Sequence, residues 1–197
     1  MVQLVRVIII SDDCFNTLLK LRLLVAHEFS LCPGCGYTNL GMDHSFQCRK
    51  VSKMITTRHN EVKDFLASLM NYSVEKCFKV GLKEFIVDLF DEDNRIAFDI
   101  TVVGGYGNSW NDAYSIAFVG KIRKYDVLIK KNLINSIIPL VFNVHGGFYS
   151  KTIPSFNQFG WSDLCPEVAT MIAKGSFRCH SAFNFILSKI SEARRFW

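Results

Sequence analysis

Apolar residues in the first half of the chain recur with the period of a helix. Between residues 58 and 71 they fall three or four positions apart, which predicts an amphipathic helix with Thr56 or Thr57 as its N-cap. The apolar face of this helix consists of Val62, Phe65, Leu66, Leu69 and Met70.

Short runs rich in β-branched and aromatic residues follow this helix. They occupy residues 76–80, 84–90 and 95–103 and predict three strands. The acidic segment Asp91-Glu92-Asp93-Asn94 separates the last two runs and is typical of a turn. These two strands are therefore expected to form a hairpin.

The rest of the chain alternates between helical and extended patterns. Residues 112–131 predict a long helix, and residues 136–145 predict a buried strand that a pair of glycines closes. Two further helices are expected at 161–174 and 177–195. The order αβββαβ, followed by helices, places the chain in the α/β class and indicates one main domain.

The composition is that of a packed globular protein. Of the 197 residues, 49% are hydrophobic and 21% are charged, which argues against disorder. No apolar run reaches the roughly 20 residues that span a bilayer, so no membrane partner is expected. The net charge of +5 and the pI near 8.8 fit a nucleic-acid partner, although proteins that bind no anion also carry such a surplus.

Cysteine usage indicates a reducing compartment. The apolar N-terminal segment ends in Asp12-Asp13 rather than in a small-residue cleavage site, so it is a poor secretory signal. Three of the seven cysteines cluster with a histidine. The other four lie among apolar neighbours and are interpreted as buried thiols: Cys14, Cys77, Cys165 and Cys179.

The clustered cysteines have the spacing of a zinc site. Cys32, Cys35, His44 and Cys48 follow the pattern C-x2-C-x8-H-x3-C. Three thiolates and an imidazole complete a tetrahedral shell and leave no open position for water, which is typical of a structural zinc ion. The alternative is an incidental cysteine and histidine cluster in a loop.

Two aspartates interrupt the predicted strands. Asp88 and Asp99 lie among apolar residues, where a carboxylate is costly unless it is paired or binds a metal. If Phe90 faces Arg95, Asp88 lies opposite Ala97, and Asp99 is its diagonal neighbour on the same face at about 7–8 Å. At that separation the two carboxylates can share one or two divalent cations.

An alternative interpretation assigns the two aspartates no catalytic part. Asp88 would merely begin the acidic turn, and Asp99 would form an ion pair with a helix lysine. The next helix favours catalysis, because Lys121, Lys124 and Tyr125 form the motif K-x-x-K-Y. A lysine beside a bound metal can polarise the attacking water or stabilise the charged phosphate.

Taken in order, these motifs resemble the C-terminal restriction-like endonuclease of site-specific non-LTR retrotransposons, a PD-(D/E)xK nuclease. The resemblance covers about residues 15–150. Its landmarks are a leucine-rich helix (18–23), the Cys-Cys-His-Cys knuckle, Arg58-His59-Asn60, a strand with Asp88, the sequence Asp-x-Thr-Val from Asp99, K-x-x-K-Y, and a hydrophobic strand before Gly146-Gly147.

The resemblance implies roles for individual residues. Asp88 and Asp99 would hold Mg²⁺ or Mn²⁺, and Lys121 or Lys124 would be the catalytic lysine that has moved from the strand to the helix. Tyr125 would orient that lysine or contact the phosphate. A second group, Arg58 and His59, would contact DNA or organise the site.

The sequence departs from the family at three points. Val87 stands where a proline usually precedes the first aspartate, and Thr101 holds the usual lysine position. No reverse-transcriptase motif occurs in the chain. The chain would then be a freestanding module, an excised piece or the decayed end of a longer element.

The resemblance implies a nuclear endonuclease that nicks DNA to leave a 3′-hydroxyl for reverse transcription. Its partners would be DNA, the reverse transcriptase portion of a longer polyprotein and the element RNA. Two other functions stay open: a decayed zinc-knuckle module that binds nucleic acid, and a structural zinc protein that docks a partner protein. The expected division is a helical linker remnant (1–30), a zinc knuckle (31–50), a restriction-like core (56–150) and a helical extension (151–197).

Overall fold

The computed structural model describes residues 32, 34–36, 42–46, 48–104 and 110–194. The predicted linker remnant at 1–30 lies outside these residues. Within them the order αβββαβ is confirmed, and further helices follow it. The elements are α1 Ser52–Met70, β1 Ser73–Val80, β2 Lys83–Asp91, β3 Ile96–Val103, α2 Trp110–Lys130, β4 Ser136–Asn143, α3 Ile153–Gln158 and α4 Cys165–Arg194, with short 3-10 helices at Met42–Phe46, Arg49–Val51 and Ser162–Leu164.

Helix α1 is longer at its start than the apolar pattern predicted. It begins at Ser52, directly after the 3-10 helix that follows Cys48. The predicted N-cap is wrong, because the Thr57 hydroxyl donates to the Lys53 carbonyl within the helix at 2.9 Å. The helix ends at Met70, and the left-handed conformation of the next residue, Asn71 (φ 53°), stops it.

The four strands form one mixed sheet in the order β1-β2-β3-β4. The first three are antiparallel neighbours, while β3 and β4 are parallel. A parallel pair needs a crossover connection, which α2 supplies. One face of the sheet packs on α1 and α4 through a core that includes Val62, Leu66, Leu89, Phe98, Leu140, Trp161 and Ile172. The other face packs on α2 through Val87, Phe90, Ala97, Tyr125 and Leu128.

The sheet divides between β2 and β3. Strand β2 pairs with β1 along nearly its whole length, but it pairs with β3 only from Leu89 to Asp91. Beyond that point β3 pairs with β4 alone. We call the place where the two strands separate, at Asp88 and Asp99, the fork.

The predicted hairpin register is wrong by two residues. Phe90 faces Ala97 rather than Arg95. The cause is the turn, because Arg95 takes a left-handed conformation (φ 54°) and so belongs to the connection rather than to β3. A shift of two residues keeps each paired residue on its predicted face. The pairing ends at Leu89 and Phe98, so Asp88 and Asp99 are no longer paired with each other as strand neighbours.

The C-terminal region forms one long helix where two were predicted. Gly175, which falls in the gap between the two predicted helices, lies inside α4 and is buried. A Cβ at this position would lie 2.5 Å from Cγ and 2.8 Å from Cβ of Arg58. The glycine therefore permits α4 to approach α1 closely.

This approach makes Gly175→Ala a destabilising substitution. We expect it to lower the free energy of unfolding by about 1–3 kcal/mol, because the added methyl group overpacks a buried contact. Gly120→Ala is the matched control, since Gly120 is also helical but has open space around its Cβ position. The control should be neutral or stabilise by up to about 1 kcal/mol. Urea unfolding measures both, and equal stability of the two variants would contradict the close contact.

Strand β4 ends two residues earlier than predicted. The Asn143 side-chain oxygen accepts the backbone N–H groups of His145 and Gly147, both at 2.8 Å, and so folds the chain into a turn. Gly146 has φ 86°, and a Cβ there would lie 2.4 Å from the Ala169 carbonyl oxygen of α4. The glycine pair is thus required by a turn against a helix. In the described part of the chain, no helix is long and apolar enough to cross a membrane.

Candidate metal centre and candidate active site

The predicted zinc ligands come together in the structure. The ligand atoms of Cys32, Cys35, His44 and Cys48 all lie within 4.8 Å of one another. Cys32 and Cys48 are fully buried, and His44 is buried as well. This cluster can bind a metal ion such as zinc.

The distances within the cluster fit a tetrahedral zinc ion. Zn–S bonds of about 2.3 Å and a Zn–N bond of about 2.0–2.1 Å place two sulfurs roughly 3.8 Å apart and a sulfur and a nitrogen roughly 3.6 Å apart. The structure has Cys32 Sγ at 4.0 Å from Cys48 Sγ and Cys35 Sγ at 3.4 Å from His44 Nε2. The donor set is complete, so such a zinc ion would be structural.

Burial shifts the pKa values of the ligand side chains, and these shifts couple metal binding to folding. Burial, with smaller contributions from the neighbouring cysteines, raises the pKa of Cys48 to about 12, and burial lowers the pKa of His44. Without a cation the Cys48 thiol therefore stays protonated at neutral pH. Zinc would replace that proton and make the buried ligands part of the folded state.

The cluster is joined to the rest of the molecule by apolar packing. Phe46 and Val51 pack with Val144 after β4 and with Cys179 and Phe183 of α4. Polar contacts reinforce this interface, because His180 Nδ1 lies 3.0 Å from the Ser45 hydroxyl. The knuckle thus packs against the C-terminal helix and the end of the sheet.

The cysteines that were predicted to be buried thiols differ in their exposure. Cys179 is buried and Cys165 is partly buried, whereas Cys77 is exposed. The prediction is wrong for Cys77, because it lies on β1, the edge strand of the sheet. The fourth, Cys14, lies outside the described residues.

At the fork, side chains replace a missing strand partner. The N–H of Ile100 donates to Asp88 Oδ2 at 2.6 Å. His59 Nε2, from α1, lies 3.2 Å from the Ile100 carbonyl oxygen and 3.1 Å from the same Asp88 oxygen. Asp88 and His59 therefore satisfy the two backbone groups that β2 no longer reaches.

Asp88 is not part of the acidic turn. That position belongs to Asp91, whose carboxylate accepts the backbone N–H of Asn94 at 3.0 Å and its side-chain amide at 2.8 Å. The alternative interpretation of Asp88 is therefore wrong, since its carboxylate points to His59 and Ile100 instead.

Asp88 and His59 form a hydrogen-bonded pair in which each shifts the pKa of the other. Burial acts to raise the pKa of Asp88, but the hydrogen bond and charge of His59, the Ile100 N–H and the charge of Lys121 bring it below its ordinary value. In return, the hydrogen bond to Asp88 raises the pKa of His59. Asp88 is therefore ionised at neutral pH.

Asp99 lies deeper, and both of its oxygens have partners. It is only 2% exposed. Lys121 Nζ is 2.5 Å from Oδ2, and the Tyr125 hydroxyl donates to Oδ1 at 2.5 Å. The ion pair that the alternative interpretation predicted for Asp99 is therefore present.

Tyr125 links the second lysine to this carboxylate. Its hydroxyl is fully buried and also lies 2.6 Å from the Ile86 carbonyl oxygen. Burial, followed by the hydrogen bond to Asp99, raises the pKa of Tyr125 far above its ordinary value, so the phenol stays neutral. Lys124 donates to the Tyr125 oxygen at 2.7 Å and is otherwise exposed.

The two lysines thus differ in position. Lys121 contacts Asp99 directly, and its side chain is 29% exposed. Lys124 reaches the carboxylate only through Tyr125, with its Nζ 4.4 Å from the ring centroid. The geometry favours Lys121 as the lysine of this site.

Arg58 and His59 are neighbours in sequence but lie in different environments. His59 is half-buried at the fork, whereas Arg58 is 2% exposed. Arg58 Nη1 donates to the Ser176 hydroxyl of α4 at 2.9 Å, and its Nε has no partner. Arg58 therefore packs α1 against α4, which fits an organising part rather than contact with DNA.

The described residues bring Asp88, Asp99, Lys121, Tyr125 and His59 to the fork. Two carboxylates offer the oxygen ligands that Mg²⁺ and Mn²⁺ prefer, and a lysine beside them can stabilise negative charge. Sequence reasoning missed Ile100 and Ser176, which take part through hydrogen bonds to residues distant in the chain. No protein-family model matches the chain, and no curated protein matches it either.

Proposed function

We propose that the chain is a metal-dependent DNA endonuclease with a PD-(D/E)xK restriction-like fold, related in function to the nuclease of site-specific non-LTR retrotransposons. The observation that carries the proposal is that Asp88 accepts the N–H of Ile100, the residue next to Asp99, while Lys121 contacts Asp99. A mixed four-stranded sheet with a helix between its parallel strands is compatible with this fold.

The residues at the fork have separate parts in the proposed reaction. Asp88 and Asp99 would hold Mg²⁺ or Mn²⁺, which supplies an activated water and neutralises the leaving oxygen when bound. His59 and the Ile100 N–H keep Asp88 ionised and fix its orientation. Tyr125 holds Asp99 from the other side, and Lys121 provides the positive charge for the phosphate.

The proposed product is a nick with a 3′-hydroxyl, as the resemblance implies. A DNA polymerase should extend nicked plasmid without prior phosphatase treatment. Nicks that need phosphatase before extension would exclude priming of reverse transcription by this chain. The further partners, element RNA and a reverse transcriptase portion, and a nuclear location belong to the same proposal.

The structure also favours one lysine over the other, which mutation can test. We expect Lys121→Ala to lower the nicking rate roughly 10²–10³-fold, the size of effect seen when one electrostatic stabiliser is lost. Lys124→Ala should cost less than about tenfold, since Lys124 acts through Tyr125. Lys131→Ala is the control, because Lys131 is exposed after the end of α2. Rates are measured under single-turnover conditions, and a larger loss for Lys124→Ala would reverse the assignment.

A second candidate function is a zinc-knuckle module that binds nucleic acid without cutting it. The observation that favours it is the full pairing of Asp99, since Lys121 and Tyr125 occupy both oxygens as in a structural ion pair. Tight, salt-sensitive binding to DNA without metal-dependent cleavage would establish this function instead.

A further inference from the structure

A strip of basic residues joins the knuckle to α1. Arg49, Lys50 and Lys53 are all exposed. No aspartate or glutamate occurs from His44 to Asn60, so the strip has no acidic neighbours along the chain. The other arginine of this segment, Arg58, is buried and does not add to the strip.

The metal cluster holds the strip in place. Arg49 and Lys50 stand between Cys48 and Val51, both of which are buried, and the Val51 N–H donates to the Cys48 carbonyl at 2.9 Å. A Cβ on Gly34 would lie 3.4 Å from Lys50 Cγ, so the Lys50 stem lies over the first cysteine turn. The charged ends are therefore presented from a fixed backbone.

Few residues separate the strip from the fork along β3 and along α1. Val102 of β3 packs against the knuckle, and it follows Asp99 by three residues, or about 10 Å of strand. Lys53 precedes His59 by six residues of α1, or about 9 Å of helix. Half a turn of duplex DNA measures about 17 Å. Both lengths are shorter than this half-turn, so one duplex is long enough to span from the fork to the strip.

We propose that Arg49, Lys50 and Lys53 bind the phosphate backbone of duplex DNA beside the phosphate that is cut. The proposal rests on the proposed endonuclease function for the fork, but the contact itself needs no cleavage. Three exposed lysine or arginine side chains with no acidic residue between His44 and Asn60 match a polyanion, and backbone contacts of this kind position DNA without reading its sequence.

Salt dependence of binding tests the strip directly. The triple variant Arg49→Gln, Lys50→Gln, Lys53→Gln is compared with the parent on a duplex oligonucleotide in magnesium-free buffer. Each phosphate contact contributes about 0.9 to the slope of log affinity against log salt, so three lost contacts should flatten the slope by roughly 2.7. The control variant, Lys130→Gln, Lys131→Gln, Lys174→Gln, removes the same charge from exposed sites and should change the slope by less than about 1.

Each outcome decides one part of the proposal. Equal salt slopes for the strip variant and the parent would overturn the proposal that the strip binds DNA. Equal flattening of the slope by the strip variant and the control variant would overturn it too. Tighter binding of duplex RNA than of duplex DNA would also overturn it. If the parent binds DNA and the slope changes as expected, but no cleavage occurs in Mg²⁺ or Mn²⁺, the endonuclease function is contradicted. The DNA contact of the strip is then supported on its own. Where the parent cuts, the strip variant should raise KM and leave kcat within about threefold.

Discussion

Asp99→Asn is expected to lower the rate of DNA nicking by roughly 10³-fold or more, because the amide loses the charge that binds the cation. The substitution keeps the size of the side chain. The oxygen of the new amide can still accept the hydrogen bond that the Tyr125 hydroxyl donates to Asp99 in the parent. Affinity for DNA should stay the same or increase, since a negative charge leaves the site. Single-turnover cleavage of a duplex and a binding titration measure the two effects.

Asp126→Asn is the control for this prediction. Asp126 lies on α2 with Lys121 but forms an ion pair with Lys130 instead, about half of its side chain being exposed. Loss of this ion pair should change the cleavage rate by less than about twofold, because exposed ion pairs of this kind contribute little free energy. Retained nicking by Asp99→Asn would remove Asp99 from the mechanism and leave its ion pair with Lys121 as a structural contact.

Cys48→Ser is expected to destabilise the whole chain. Structural zinc contributes about 10–16 kcal/mol of apparent binding free energy in finger peptides, so loss of one buried ligand should lower the free energy of unfolding by several kcal/mol. The effect should reach beyond the knuckle, because Val51, Phe183 and Val144 pack in the same apolar cluster. Zinc content by mass spectrometry and Tm by thermal unfolding measure it.

Cys77→Ser is the matched control for the zinc prediction. Cys77 is exposed on the edge strand and lies outside the metal cluster. The parent and Cys77→Ser should each carry one zinc per chain with the same Tm. A parent that holds no zinc, or a Cys48→Ser protein with unchanged Tm, would contradict a structural metal centre.

The features set by local sequence could be predicted. The knuckle ligands follow from their spacing, and the order of helices and strands follows from the period of the apolar residues. The shared face predicted for Asp88 and Asp99 is different, because the Asp88 carboxylate contacts His59 of α1 whereas the Asp99 carboxylate contacts Lys121 and Tyr125 of α2.

The features set by distant contacts could not be predicted. The hairpin register depends on the left-handed conformation of Arg95, and an arginine at this position does not indicate such a conformation. The continuity of α4 through Gly175 could not be predicted, because the Arg58 side chain that packs against this glycine lies 117 positions earlier in the sequence. The fork could not be predicted from the sequence. It forms where β3 separates from β2 and the backbone of Ile100 forms hydrogen bonds with Asp88 and His59.

The proposed function depends most directly on metal-dependent nicking of supercoiled plasmid. The purified chain is incubated with Mg²⁺ or Mn²⁺ and, in parallel, with EDTA, beside Asp99→Asn. Open circles are expected only for the parent with metal. Plasmid that stays supercoiled in the presence of a folded, zinc-loaded parent that binds it would contradict the endonuclease and identify a DNA-binding module.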